Sequence, residues 1–150
     1  MDSTDIANIE RATITAVSPQ AVEELPGWLL PFNSGTVGRA ISAVPLSHVF
    51  EQDAAALVSQ IEARYAAHGF KAAFRLPDVA SFAPLRQYLA TLGYRKEQPT
   101  LVQTGHVLAM RQLIDRPKAE VADAPDAAWA QLFLGEGFDP VDGAHRVALL

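Results

Sequence analysis

The sequence predicts an α/β domain with a central mixed β-sheet flanked by helices. Three observations carry that prediction. Apolar stripes at helical spacing alternate with short β-forming runs, a turn-rich joint separates two of those runs, and Pro or Gly marks nearly every change of period. Apolar residues make up 49% of the chain and charged residues 19%, enough for a core and too much for a disordered chain.

The elements follow in order. Ser3 or Thr4 caps a first helix whose Ile6, Ile9, Ile14 and Val17 fall near helical spacing, and Pro19 ends it. Trp28 to Phe32 and Val37 to Val44 read as two strands of a hairpin joined through Asn33-Ser34-Gly35. Pro31 lacks an amide donor, which marks the first of these as an edge or irregular strand. From Asp53 to His68 the period changes: Ala54, Leu57, Val58, Ile61 and Tyr65 form one helical stripe, closed by Gly69. Phe70 to Leu76 is a short buried strand, broken by Pro77-Asp78. Ser81 caps a helix with Pro84 in its first turn, inner residues Phe82, Leu85, Leu89 and Leu92, and Gly93 as its stop. A last strand runs from after Pro99 to about Leu108.

The resulting order, α-β-β-α-β-α-β, implies crossover units and a partly parallel sheet. Residues 1–112 form this unit and 113–118 a linker. Residues 119–150 open a second unit with a strand over Ala119 to Ala124 and a helix capped by Asp126, carrying Trp129, Leu132 and Phe133. The apolar run Val147 to Leu150 reads as a terminal strand or as the point where a second domain begins.

Charge and composition exclude several functions. A net charge of −5 with scattered basic residues argues against a nucleic-acid partner. With no cysteine there are no disulfides or thiolate metal sites. The start of the chain has no basic n-region, and no apolar run nears the roughly 20 residues of a membrane span. A cytoplasmic location is expected. His48, His68, His106 and His145 show no metal-ligand spacing, and the serines form no nucleophile elbow. His68, at a helix C-terminus, reads as a charge–dipole contact, and His48 as a loop residue. Trp28 and Arg39 are candidate substrate contacts, since an Arg beside an aromatic in a hairpin can hold a carboxylate or stack on a ring; packing is the plainer account.

The stretch from Val44 to Tyr94 resembles the core of the GNAT family of N-acetyltransferases. Val44-Pro45 matches its strand end, Leu57-Val58 the apolar pair in its helix, Gly69-Phe70 the helix stop and Gly93-Tyr94 the terminal pair, with Phe74 in the strand between. Gly27-Trp28-Leu29-Leu30 and the run Gly35 to Ser42 look like the front half of a bacterial group with two GNAT-like units in tandem, the first usually degenerate. The resemblance implies a GNAT-like acyl-CoA N-acyltransferase fold and covers about Ile6 to Val107. For the full-length protein it implies acetyl-CoA as cofactor and a second GNAT unit or a homodimer partner.

Two departures from the family pattern bear on function. The family opens its cofactor helix with Gln/Arg-x-x-Gly-x-Gly/Ala, where backbone amides wrap a pyrophosphate and need glycine to approach it. Here that place reads Val49, Phe50, Glu51, Gln52, Asp53 and Ala54, of which only Ala54 is compatible. Glu51 and Asp53 suit a helix N-terminus as caps, each worth about 0.3–1 kcal/mol, and would repel a diphosphate. The family's proton-donating Tyr position is Leu89, with Tyr88 about 100° around the helix. No catalytic, cofactor-binding or metal residue is therefore expected, and no cofactor for this segment. The expected function is a non-catalytic N-terminal unit of an acetyl-CoA-dependent N-acetyltransferase. The alternatives are a stand-alone acetyltransferase with an atypical loop and a non-enzymatic dimerisation or binding module.

Overall fold

The structure, a computed structural model, describes residues 2–112 and 123–148. Helix α1 spans Ser3–Val17, strand β1 Ala21–Leu25, β2 Trp28–Phe32, the single-turn helix α2 Gly38–Ile41, and β3 Val44–Pro45. Helix α3 is Ala54–Ala67, and a 3-10 turn at Ala80–Phe82 runs into α4, Ala83–Thr91. Then come α5 (Val107–Gln112), α6 (Ala127–Leu134) and α7 (Pro140–Ala148). The chain is thus mixed α/β, with a three-stranded antiparallel sheet in the order β1-β2-β3. Among the described residues, parallel pairing survives only as an isolated bridge between Ala43 and Phe74.

Period-2 alternation in β2 builds a core on both faces of the sheet. Trp28, Leu30 and Phe32 face Leu57, Val58, Ile61 and Tyr65 of α3 and Phe82, Leu85 and Leu89 of α4. Leu29 faces the other way, toward Ile14 of α1 and Val44. Glu23 and Glu24 of β1 repeat the alternation, one reaching Arg64 and His68 of α3, the other Arg11 of α1. Helices therefore cover both faces, and β2 is the buried middle strand.

That corrects the expectation that Pro31 marks an edge. In a strand, a residue's N–H side and C=O side coincide. The Pro31 carbonyl points away from β1 and accepts from the Tyr65 hydroxyl at 3.0 Å. The missing amide therefore faces the side where β3, paired only with Trp28 and Leu29, has already ended. Nothing is lost there.

Other elements differ from the sequence reading. The hairpin partner of β2 is the unforeseen β1, joined through Pro26 and Gly27 at φ +80°, the residues a type II turn calls for. The expected strand Val37 to Val44 folds instead as α2 followed by the short β3. Ala40 is fully buried and Ser42 Oγ donates to the Gly38 carbonyl at 2.7 Å, so packing overrides the β-preference of Val37 and Ile41. The α1 cap is Asp2, in a capping box with Asp5, one residue earlier than Ser3. Ser81 caps nothing; it lies inside the 3-10 turn and its hydroxyl donates to the His48 carbonyl at 2.6 Å.

The expected strand Phe70 to Leu76 shrinks to its one bridge for a reason visible in the chain. Ala43 N donates to Ala73 O and Arg75 N to Ala43 O, both at 2.8 Å. The next rung of a parallel ladder would need donors from residues 45 and 77, and both are proline. No strand forms from Pro99 to Leu108: Leu101 is 87% exposed, Gly105 interrupts the run, and α5 begins at Val107.

Both glycine stops hold. Gly69 and Gly93 have φ +78° and +87°, and each helix closes as a Schellman motif, with Phe70 N to Tyr65 O and Tyr94 N to Leu89 O. Asp126 caps α6 by accepting from Trp129 N. The run from Val147 is the end of helix α7, as far as Ala148, rather than a strand. Helix α7 is tied to the loop before α2 by Thr36 Oγ1 donating to Asp142 Oδ1 at 2.5 Å. The expected linker at 113–118 and most of the strand at 119–124 lie outside the described residues. Among those described, no helix is long and apolar enough to cross a membrane.

Candidate functional site

The turn from Val49 to Ala54, which leads into α3, is held by side chains pointing back into the protein. Gln52 accepts from Trp28 Nε1 at 3.0 Å and donates to the Pro26 carbonyl at 3.2 Å, so it clamps the turn onto the β1–β2 hairpin. The Phe50 ring packs on Phe82 at 5.2 Å, and Phe82 on Trp28 at 6.3 Å. Upstream, the Ser81 hydroxyl bonds the His48 carbonyl, drawing together two stretches that part after the Ala43–Phe74 bridge. Val49 itself is exposed, and its N–H donates to Ser47 Oγ.

Asp53 is the N-cap of α3, accepting from Ala56 N at 2.7 Å. Its carboxylate satisfies one of the orphan donors at the helix start and complements the dipole. Glu51 is exposed beside it. The end of α3 where a diphosphate would meet free amides thus carries two carboxylates. Neither of two surface cavities touches this turn.

Trp28 and Arg39 are not brought together. Trp28 is 2% exposed, a core residue whose indole nitrogen is committed to Gln52. Arg39 lies on α2 and is exposed. Leu89 is buried, and Tyr88, half-buried, packs against the core. The phenol best supplied with an acceptor is Tyr94, whose hydroxyl donates to Glu62 Oε1 at 2.8 Å. Burial first, then that carboxylate, hold its pKa well above the usual phenol value, so it stays neutral. His68 does not act through the helix dipole alone: Nε2 lies 2.8 Å from Glu23 Oε1, and the ring stacks on Phe32 at 3.9 Å. No cluster of His, Asp and Glu suited to a metal occurs among the described residues.

Sequence reasoning singled out the turn but missed the role of Gln52. The only signal for it, a Gln among acids before a helix, has no meaning until Trp28 is placed beside it.

No curated protein matches the chain, and no solved structure does. A family model does match, over residues 3–148, almost the whole chain; its description is "Probable histone acetyltransferase Rv0428c C-terminal". With a mixed α/β fold and that match along its length, the chain belongs to the family of the C-terminal domain of the probable histone acetyltransferase Rv0428c.

Proposed function

We propose that this chain is a non-catalytic GNAT-like unit of a cytoplasmic, acetyl-CoA-dependent acetyltransferase. It supports a catalytic unit, in the same polypeptide or in a homodimer partner, and shapes the acceptor side without holding acetyl-CoA itself. The observation that carries this is the use of the turn's own side chains. Gln52 and Phe50 bind the turn to Trp28 and Phe82, while Asp53 caps the helix start and Glu51 is an exposed carboxylate two residues before it. An oxyanion or diphosphate arriving there meets like charge, where this fold's chemistry calls for bare amides.

In this reading, residues 1–112 precede a linker at 113–118, and 119–150 open the next unit. Helix α6 supports it: none of its residues is buried, and Leu132 is 66% exposed, a surface that gains from further packing.

The test is calorimetric titration of the chain with acetyl-CoA, alongside an acetyl-transfer assay with generic amine acceptors. No heat and no transfer are expected. Micromolar binding of acetyl-CoA, or measurable acetyl transfer, would overturn the reading.

A further inference from the structure

We propose that the cavity at the end of β2 binds a small monocarboxylate with an apolar body. The cavity has a volume of about 260 Å³ and is lined by Asn33, Ser34, Ile41, Tyr65, Phe70 and Lys71, with Gly35 at its rim. It belongs to the other end of α3 from the turn at Val49 to Ala54. Tyr65 stands roughly 18 Å along the helix from Asp53, at 1.5 Å per residue. The inference goes beyond the proposed function and stands whether or not acetyl-CoA binds.

Four features define the ligand. Asn33 is 8% exposed, yet its side-chain amide has no hydrogen-bond partner among the described residues and opens to the cavity. Its amide atoms are reached by solvent through the cavity rather than orphaned, so a ligand atom there takes the place of water. The Ser34 hydroxyl oxygen accepts from Gln20 Nε2 at 3.2 Å, which leaves its own hydrogen free to donate. Lys71 is exposed and has no ion pair among the described residues. Tyr65 offers only its ring, because its hydroxyl is committed to the Pro31 carbonyl, and Phe70 and Ile41 complete an apolar wall.

An ammonium, a hydroxyl and an amide beside two rings fit a carboxylate joined to an apolar body. No Asp or Glu lines the cavity, so an amine or a zwitterionic amino acid would leave its ammonium unpaired. Inorganic phosphate would leave the rings uncovered. The volume lies just under the roughly 300–1,000 Å³ of drug-sized pockets, which limits the ligand to about a dozen heavy atoms.

The probe is phenylacetate, followed by amide NMR on the whole chain, with phenethylamine and inorganic phosphate as controls. Saturable shifts are expected at the Asn33 side-chain amide and at Ser34, Gly35 and Lys71, with Kd in the millimolar range or tighter. Lys71→Met, at an exposed position, should leave the spectrum folded and weaken phenylacetate roughly tenfold. Asn33→Ala should do the same; where it disturbs folding, Lys71→Met alone decides. No saturable shift, equal binding of phenethylamine or of phosphate, or undiminished affinity in folded Lys71→Met would each overturn the proposal.

Discussion

Replacing Gln52 by alanine tests whether the turn is a structural clamp. The indole N–H of Trp28, 2% exposed, has Gln52 Oε1 as its partner at 3.0 Å. Gln52→Ala removes that acceptor and leaves a buried donor unpaired, a loss of about 1–3 kcal/mol. The bond to the Pro26 carbonyl, 3.2 Å long in an exposed turn, adds little. For a domain of this size the melting temperature should fall by roughly 3–12 °C. Urea unfolding followed by Trp28 fluorescence, with Trp129→Phe as background, reads the change directly, because these are the protein's two tryptophans. Gln52→Glu keeps an acceptor and should recover most of the loss. A double-mutant cycle with Trp28→Phe, followed by circular dichroism because that variant lacks the fluorophore, should give a coupling near 1 kcal/mol. Should Gln52→Ala unfold within about 0.5 kcal/mol of the parent, the turn is not clamped, and the case against cofactor binding rests on Glu51 and Asp53 alone.

Three further outcomes follow from the same packing. Tyr65→Phe strands the Pro31 carbonyl beyond the end of β3 and should cost about 1–2 kcal/mol in denaturant unfolding. The Glu23 carboxyl is held below its usual range, first by the hydrogen bond from His68 and then by the Arg64 charge. Its folded pKa being depressed, its contribution is present above the unfolded carboxylate value and is lost as pH falls through the lower, folded one; Glu23→Gln should flatten that acid limb of a stability–pH curve. Arg75 Nη1 lies 2.6 Å from Glu10 Oε2, joining α1 to the stretch after the parallel bridge. Yet that oxygen makes no well-aligned hydrogen bond, and Arg75 Nε and Nη2 are buried without partners. The pair attracts at close range but is weakly hydrogen-bonded. Arg75→Met should destabilise by about 1–3 kcal/mol by leaving Glu10 half-buried and alone, and Glu10→Met with Arg75→Met should restore stability or exceed the parent, as thermal melts would show.

What the sequence made legible was local. The α3 stripe, the α4 stripe as far as Phe82, Leu85 and Leu89, Gly69, Gly93 and the Asp126 cap are each set by residues within a few positions of one another; Leu92, expected on the inner face, is 47% exposed at the C-cap. What stayed hidden depended on distant partners. β1 carries Glu23 and Glu24, poor strand formers, and is a strand because it pairs along its whole length with the buried β2. α2 carries Val37 and Ile41 at its borders and is helical because Ala40 must be buried. At the candidate sites the division is the same. That Val49 to Ala54 holds two carboxylates and no glycine could be read directly. Asn33 read as a turn residue, because neither its burial nor its lack of a partner leaves a mark in the sequence.

The prolines explain why the turn before α3 has this form. Pro45 and Pro77 remove the two donors that would continue the parallel pairing past Ala43 and Phe74, so the two stretches must part at that point whatever follows. Parting strands leave backbone and apolar surface uncovered, and some group has to cover them. A bound ligand can do so, and so can side chains from the turn that follows. In this chain Phe50 and Phe82 pack in a tilted pair near the divergence, Ser81 reaches across to His48, and Gln52 fixes the turn to the hairpin. Under the proposed function, a ligand would therefore have to displace an aromatic contact and two hydrogen bonds before meeting Glu51 and Asp53. Glycines introduced at 51 and 53 would remove the charges but leave the clamp. Closure of the gap and repulsion of the anion are separate obstacles, set by different residues.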